Sequence, residues 1–309
     1  MTGSAGRAGF DVQGHRGALG YRPGNTLAGF ELAGRLGASA VELDVRLSAD
    51  GVAVVWHDPV LTSGTCLPAD PRWLGRRVDE LTATQLKHVD IGSLTNPGLA
   101  QQVPAQDERL LTLSDVLLRV SVAEPAMRFV VEVKVDPDDE SQRRRSTELV
   151  ERTLDDIHSS GVSDRVAVHS FDWAVLALAA DLAPHVRRSA LASVRVSGAW
   201  LGDGTGPAGA GSAGLRVEDL PAAARDAGAH VVCPHFGDAF DEMSADPGVD
   251  PPGREFVDRC HAVGLTVIPW TVDTPADLRL VVDAGVDGVV TNYPDRARAV
   301  AGWGVSTDA

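Results

Sequence analysis

Eight short runs rich in Val, Ala and Ile punctuate the chain, and the segments between them are long enough to hold helices. The runs are Phe10 to His15, Ala40 to Arg46, Phe129 to Val135, Val166 to Ser170, Ser189 to Ala192, His230 to Cys233, Thr266 to Thr271 and Gly288 to Thr291. Parallel strands need a crossover between them, so strands alternating with helical segments predict a parallel sheet of the α/β class. Eight such units make the (β/α)8 TIM barrel the expected fold. Barrels of this kind take the full 309 residues, so residues 1–309 are read as one domain.

One place breaks the alternation. Ser48-Ala49-Asp50-Gly51 is a turn signal followed at once by the apolar run Val52 to Trp56, which predicts a β-hairpin after the second strand. The returning arm would bring His57 to the level of Glu42 and Asp44. Residues 58–111 are too long and too rich in Pro and Gly for an ordinary connection, and with a helical piece at Thr82 to His88 they are expected to form a cap. Residues 197–214 are Gly-rich and read as a surface insertion or a lid.

Composition excludes several roles. A formal charge of -15 argues against nucleic acid or an anionic membrane as partner, because both demand a basic surface. No stretch approaches the roughly 20 apolar residues of a membrane span, and residues 1–9 lack the apolar segment of a secretory signal, so a cytoplasmic location without stable membrane association is expected. Cys66, Cys233 and Cys260 are too scattered for a disulfide framework or a zinc site. An anionic small-molecule substrate would need its cation supplied locally.

Glu42 and Asp44 are two apart in a strand, so both leave the same face, and near the strand's carboxyl end they point into the barrel mouth. Glu132 and Lys134 repeat the pattern. Three carboxylates and one ammonium cannot converge uncompensated, and oxygen ligands of this kind suit Mg²⁺ or Ca²⁺. His15 and His57 each close an apolar run and face the same mouth, where one imidazole can accept a proton while the other donates, as displacement at phosphorus requires. Arg16 adds a fork of donors suited to phosphate oxygens.

These residues carry a family resemblance. His15-Arg16-Gly17, Pro23-Gly24-Asn25-Thr26-Leu27, the block GASAVELDVRLSADGVAVVWHDPVL from Gly37 to Leu61, Val131-Glu132-Val133-Lys134, Ser170-Phe171, Trp270-Thr271-Val272 and GVDGVVTNYP from Gly285 to Pro294 agree in order and spacing with the glycerophosphodiester phosphodiesterases, which the chain resembles over nearly its whole length. The resemblance implies metal-dependent hydrolysis of glycerophosphodiesters to glycerol 3-phosphate and an alcohol. It further implies Glu42, Asp44 and Glu132 as metal ligands, His15 and His57 as acid and base, Arg16 and Lys134 as phosphate contacts, and Trp270 as an apolar wall for the glycerol or its substituent.

Two positions depart from the family pattern: Gly24 stands where members usually carry Glu, removing an expected partner of Arg16, and Thr62 to Cys66 replaces an Arg and Thr pattern. Two alternatives share the barrel. A lysophospholipase D or sphingomyelinase D-like enzyme would use the same site on lipid, with Trp73, Leu74, Trp200 and Leu201 as candidate apolar contacts; a catalytically silent binding protein would keep the fold without turnover.

Overall fold

The structure is a computed structural model and describes residues 9–136, 139–193, 217–240 and 253–302; Trp200, Leu201 and the Gly-rich stretch 197–214 lie outside them. Its strands are β1 (Asp11–Gly14), β2 (Ala40–Leu47), β3 (Ala53–Val55), β4 (Leu67–Pro68), β5 (Val89–Asp90), β6 (Arg128–Val133), β7 (Val166–Ser170), β8 (Arg187–Ala192), β9 (Val231–Pro234), β10 (Thr266–Val267) and β11 (Gly288–Thr291). Eight run in the order β11-β1-β2-β6-β7-β8-β9-β10, each parallel to its neighbours. The ring closes between the end strands, where Asp287 N–H donates to Val267 O at 3.0 Å, Val290 N–H to Pro269 O at 2.9 Å and Val272 N–H to Val290 O at 3.0 Å. This is the expected (β/α)8 barrel.

The seventh barrel strand is shorter than expected, ending at Val267 rather than Thr271. Pro269 explains the interruption, since it has no N–H to give to the ladder. The chain still follows its neighbour beyond that point, with Ile268 N–H donating to Val232 O at 3.1 Å and Trp270 N–H to Pro234 O at 3.0 Å. Trp270 therefore reaches the mouth without belonging to a regular strand.

Period-2 alternation sorts the side chains. Val41, Leu43 and Val45 of β2 face outward into the main core, packed with Phe30, Leu117 and Phe129 under the helices, whereas Glu42, Asp44 and Arg46 share the opposite, inner face. The interior on the far side of the barrel is apolar, built from Leu191, Val231, Cys233, Ile268 and Val290 with Phe171 and Trp270 against them. The barrel thus has a charged half and an apolar half.

The hairpin forms as the turn signal predicted, with β3 antiparallel to the end of β2 through Val45↔Val55 and Leu47↔Ala53. Ala53 and Val55 face the main core, but Val54 turns to a second core made by Trp56, Leu61, Val78, Leu81, Leu86, Val89, Ile91 and Leu110. Residues 58–111 wrap this second core, and their helix, Ala83–Leu86, starts at Thr82, whose hydroxyl accepts from Gln85 N–H. Cys66, Cys233 and Cys260 are all buried and unpaired with one another. No helix among the described residues is long and apolar enough to cross a membrane.

The segment is fastened to the barrel where a helix needs help. The helix Leu27–Arg35 leaves its first N–H groups open; Thr26 accepts from Gly29, and the Glu108 carboxylate reaches across to accept from Leu27 at 3.1 Å and Ala28 at 2.8 Å. Glu108→Ala should therefore lower stability by about 1 kcal/mol, seen in urea as an earlier midpoint with an unchanged slope. An unchanged midpoint would mean that water caps these groups as well as Glu108 does.

Candidate active site

Register places the chemistry. Asp44, Glu132, His169 and Ser189 are Cα partners across β2, β6, β7 and β8, so their side chains leave one face of the sheet and meet inside the barrel. Glu42 lies two residues before Asp44 on the same face, and Lys134 two beyond Glu132, with its N–H still bonded to Val45 O at 3.1 Å. His15 follows β1 directly and is anchored by its N–H to Thr291 O at 2.9 Å. His57 comes down on the hairpin return, next to Trp56, whose N–H donates to Asp44 O at 3.0 Å.

His15, Arg16, Glu42, His57, Glu132, Lys134 and Trp270 line one cavity of about 350 Å³, together with Arg46, His169, Phe171, Leu191 and Val290. Asp44 lies just beneath its wall. All of the expected site residues are therefore brought together.

The cluster is a balance of buried charges. Lys134 Nζ sits 2.7 Å from Glu132 and 3.0 Å from Asp44, with all three residues at 7% exposure or less. Arg16 Nε approaches Asp44 at 3.2 Å from the other side, and Asn25 donates its amide to the same carboxylate at 2.9 Å. Burial alone would push the Asp44 carboxyl up; Lys134, Arg16 and His57 outweigh it and hold the group well below the usual carboxylate range. Glu42 has no such ammonium beside it. Burial, then repulsion from Asp44 and Glu132, pushes it well up, with one hydrogen bond from Arg16 N–H at 2.9 Å opposing.

The loop carrying Arg16 is built for this contact. Arg16 has φ 49 and Asn25 φ 60, a left-handed conformation that Asn tolerates and Arg does not adopt readily, and Gly17 at φ 90 packs so closely that a Cβ there would lie 2.6 Å from the Gly29 carbonyl carbon. Asn25 N–H closes the loop onto Arg16 O at 3.0 Å. Gly24 presses on the Arg16 stem, where a Cβ would lie 3.1 Å from Arg16 Cβ and 2.9 Å from Leu19 Cδ1. The expectation that Gly24 leaves Arg16 without a partner is corrected here: Asp44 supplies the carboxylate. A second chamber of about 310 Å³ opens beside Gly24, bounded by Arg16 and His57 and roofed by residues such as Leu94 and Asn96.

Both candidate imidazoles are oriented through Nδ1. His57 Nδ1 lies 2.7 Å from Asp58 Oδ1, and His15 Nδ1 2.7 Å from Asn292 Oδ1, leaving each Nε2 for the cavity; that of His15 is 4.0 Å from Glu42. Burial, then Arg16, lowers His15 to about 3, and burial also lowers His57. His169, likewise buried, is lowered to about 3 by desolvation and then by Lys134.

The three carboxylates of Glu42, Asp44 and Glu132 can each offer an oxygen, all within 4.8 Å of one another, to a single ion. Asp44 Oδ1 is shared with the Lys134 ammonium at 3.0 Å, and a carboxylate oxygen has a second lone pair for an ion. Hard oxygen donors of this number fit a divalent cation of the Mg²⁺ or Ca²⁺ type.

Several participants were not singled out from sequence. Arg46 follows the same period-2 face as Glu42 and Asp44 and was legible from it; its guanidinium donates to His57 O at 2.7 Å and so fixes the hairpin return. Asp58 adjoins His57. His169 interrupts the apolar run Val166 to Val168 on the inward face. Asn292, within the quoted block Gly285 to Pro294, meets His15 only because the barrel closes, and Asp273 lies behind it without a local signal.

Residues 15–296 match the glycerophosphoryl diester phosphodiesterase family. The chain belongs to that family. It is thereby placed among phosphoric diester hydrolases. A glycerophosphodiester phosphodiesterase of Caldanaerobacter subterraneus subsp. tengcongensis is 26% identical over 284 residues, covering 91% of this chain and 93% of that one. A crystal structure from Silicibacter pomeroyi DSS-3, provisionally named a glycerophosphoryl diester phosphodiesterase, is 31% identical with TM-score 0.79, covering 97% of this chain and 95% of that one. A phosphodiesterase of Oleispira antarctica, solved with its product sn-glycerol-3-phosphate, shares the fold at 22% identity and TM-score 0.69, covering 94% and 96% of the two chains.

The charge balance makes a direct prediction. Lys134→Met leaves Asp44 and Glu132 buried without their ammonium and should cost about 3 kcal/mol in chemical denaturation with chelator present. A loss below about 1 kcal/mol would mean that Lys134 is not what holds these carboxylates charged.

Proposed function

We propose that the chain hydrolyses glycerophosphodiesters to glycerol 3-phosphate and an alcohol, with Glu42, Asp44 and Glu132 holding a divalent cation and His15 and His57 moving the protons. The observation that carries this reading is the convergence, in one cavity, of two imidazoles each engaged through Nδ1 with Arg16, Lys134 and three clustered carboxylates.

Arg16 and Lys134 present N–H groups to the phosphodiester anion, and Arg16 is already set in direction by Asp44. A cation held by the three carboxylates would supply charge opposite the phosphoryl oxygens as negative charge grows there. The nucleophile is a water, or the glycerol hydroxyl next to the ester, in which case a water then opens the cyclic phosphate to glycerol 3-phosphate. One imidazole takes its proton as the new O–P bond forms; the other gives a proton to the alcohol oxygen as the old P–O bond breaks.

The histidines differ in their partners, and this supports a division of roles. His57 faces the Asp58 carboxylate, which stabilises an imidazolium and favours it as the acid; His15 faces the neutral Asn292 amide, which favours it as the base. Trp270, edge-on to Phe171 with centroids 5.4 Å apart, walls the apolar side with Leu191 and Val290, where the carbon skeleton of the substrate is placed.

The test is release of glycerol 3-phosphate from a panel of water-soluble glycerophosphodiesters, and of choline from lysophosphatidylcholine alongside, in Mg²⁺, in Ca²⁺ and after chelation. Metal-dependent turnover of the soluble diesters is expected; turnover of the lipid alone would replace this substrate assignment, and activity surviving exhaustive chelation would remove the cation from it. In the same assay His15→Ala and His57→Ala should each lower kcat by about 10² to 10⁴-fold with the fold intact by circular dichroism. Near-normal rates in either variant would exclude that histidine from proton transfer.

A further inference from the structure

Behind His15 and its partner Asn292 lies a further polar group, Asp273, to which the proposed reaction gives no part. Asp273, in the loop after Trp270, accepts from Asn292 N–H at 2.8 Å and from the Thr291 hydroxyl at 3.1 Å through Oδ1, and from the Asn292 side-chain amide at 2.6 Å through Oδ2. Asn292 in turn sets Oδ1 2.7 Å from His15 Nδ1. The Asp273 main-chain carbonyl accepts from Arg296 at 3.2 Å, which ties the loop to the last helix, Pro294–Val300.

We infer that Asn292, oriented by Asp273, is a positioning residue that fixes His15 in the tautomer with the proton on Nδ1 and a bare Nε2 facing the cavity.

The argument runs through donor and acceptor capacity. A carboxylate only accepts, so the NH₂ end of the Asn292 amide must face Asp273 and its carbonyl end must face His15. That carbonyl also only accepts, so Nδ1 of His15 carries the hydrogen. In a neutral imidazole one nitrogen is protonated and the other is not, which leaves the Nε2 lone pair for a substrate proton. The peptide N–H of Asn292 is held by the same carboxylate, so neither backbone nor side chain of Asn292 is free to turn. The geometry resembles the relation of a catalytic imidazole to an orienting carboxylate, with a neutral amide placed between them.

Asp273→Asn separates this role from a merely structural one. The oxygen of the new amide is claimed by Asn292 N–H and the Thr291 hydroxyl, so its NH₂ faces the Asn292 side chain. That side chain must then turn its carbonyl toward position 273 and its NH₂ toward His15, which moves the imidazole proton to Nε2. Adding Asn292→Asp to Asp273→Asn restores an acceptor opposite Nδ1 and lets the carboxylate at 292 accept from the amide at 273.

The experiment is ¹⁵N NMR of histidine-labelled protein, with the His15 signals assigned by their loss in His15→Ala, alongside steady-state kinetics on glycerophosphodiesters. Expected are an Nδ1-protonated His15 in the parent, an Nε2-protonated one in Asp273→Asn with kcat down by about 10²-fold and KM little changed, and return of both tautomer and most of kcat in the double variant. Nε2 protonation in the parent, or an Asp273→Asn variant that keeps both tautomer and rate, would overturn the inference. If Asp273→Asn fails to fold, Asn292→Ala is read instead: a mixed tautomer population supports the assignment and an unchanged Nδ1 proton overturns it. The inference rests on His15 as a proton-transfer group, and the two fail separately, since full activity of His15→Ala would remove that role while leaving the tautomer assignment intact.

Discussion

The ammonium of Lys134, 2.7 Å from Glu132 and 3.0 Å from Asp44, is the contact on which the rest of the site depends. All three groups are nearly out of reach of water, and in such surroundings an unpaired carboxylate would take up a proton rather than remain charged. Lys134 and Arg16 together keep Asp44 ionised, and Asn25 completes its hydrogen bonding. The pairing also sets the limits of the site: Lys134 and Arg16 both serve Asp44, while Arg46 on the same face is held by the His57 carbonyl. Glu42 is less well served: burial and its acidic neighbours push it well up against Arg16 alone.

This arrangement explains why the second barrel strand continues past the mouth. A strand that stopped at Asp44 would leave the carbonyls of Asp44 and Arg46 to open water. By running on to Leu47 and folding back as β3, the chain pairs them and delivers His57 beside the acids, where Arg46 holds the His57 carbonyl. The outer side of β3 then needs cover, and Val54 and Trp56 receive it from residues 58–111 through their own apolar core. The insertion is thus a consequence of positioning His57 as much as a roof over the cavity.

The barrel was legible in the sequence because its strands are buried on both faces and read as short apolar runs. The runs ending in His15 and the pairs Glu42/Asp44 and Glu132/Lys134 were legible for the same reason, since charged residues at alternate positions of an otherwise apolar strand have only the barrel interior to enter. Arg46 obeys that rule and was available to it. The seventh strand misled because its apolar run contains Pro269, which keeps the path extended but breaks the ladder. Arg16 appeared unpartnered because its partner, Asp44, lies on the neighbouring strand, a contact that depends on two residues with positive φ and not on any local pattern. Asn292 falls in the block quoted from Gly285 to Pro294, but its contact with His15 was not legible, because it crosses the seam where the last strand meets the first, 277 positions away, and Asp273 acts behind it.

That seam divides the mouth chemically. Strands β2, β6 and β7 and the residue after β1 bring Glu42, Asp44, Glu132, His169 and His15, whereas β8, β11 and the segments after β7 and β10 bring Leu191, Val290, Phe171 and Trp270. A ligand with an anionic end and a carbon end therefore has one orientation that satisfies both walls: the anion on the Lys134 and Arg16 side, the carbons against Trp270. The reverse would set apolar carbon against buried charge and leave the anion without donors, a loss on both sides. His15 stands on the boundary between the two walls, fastened to Asn292 on one side and facing Glu42 on the other.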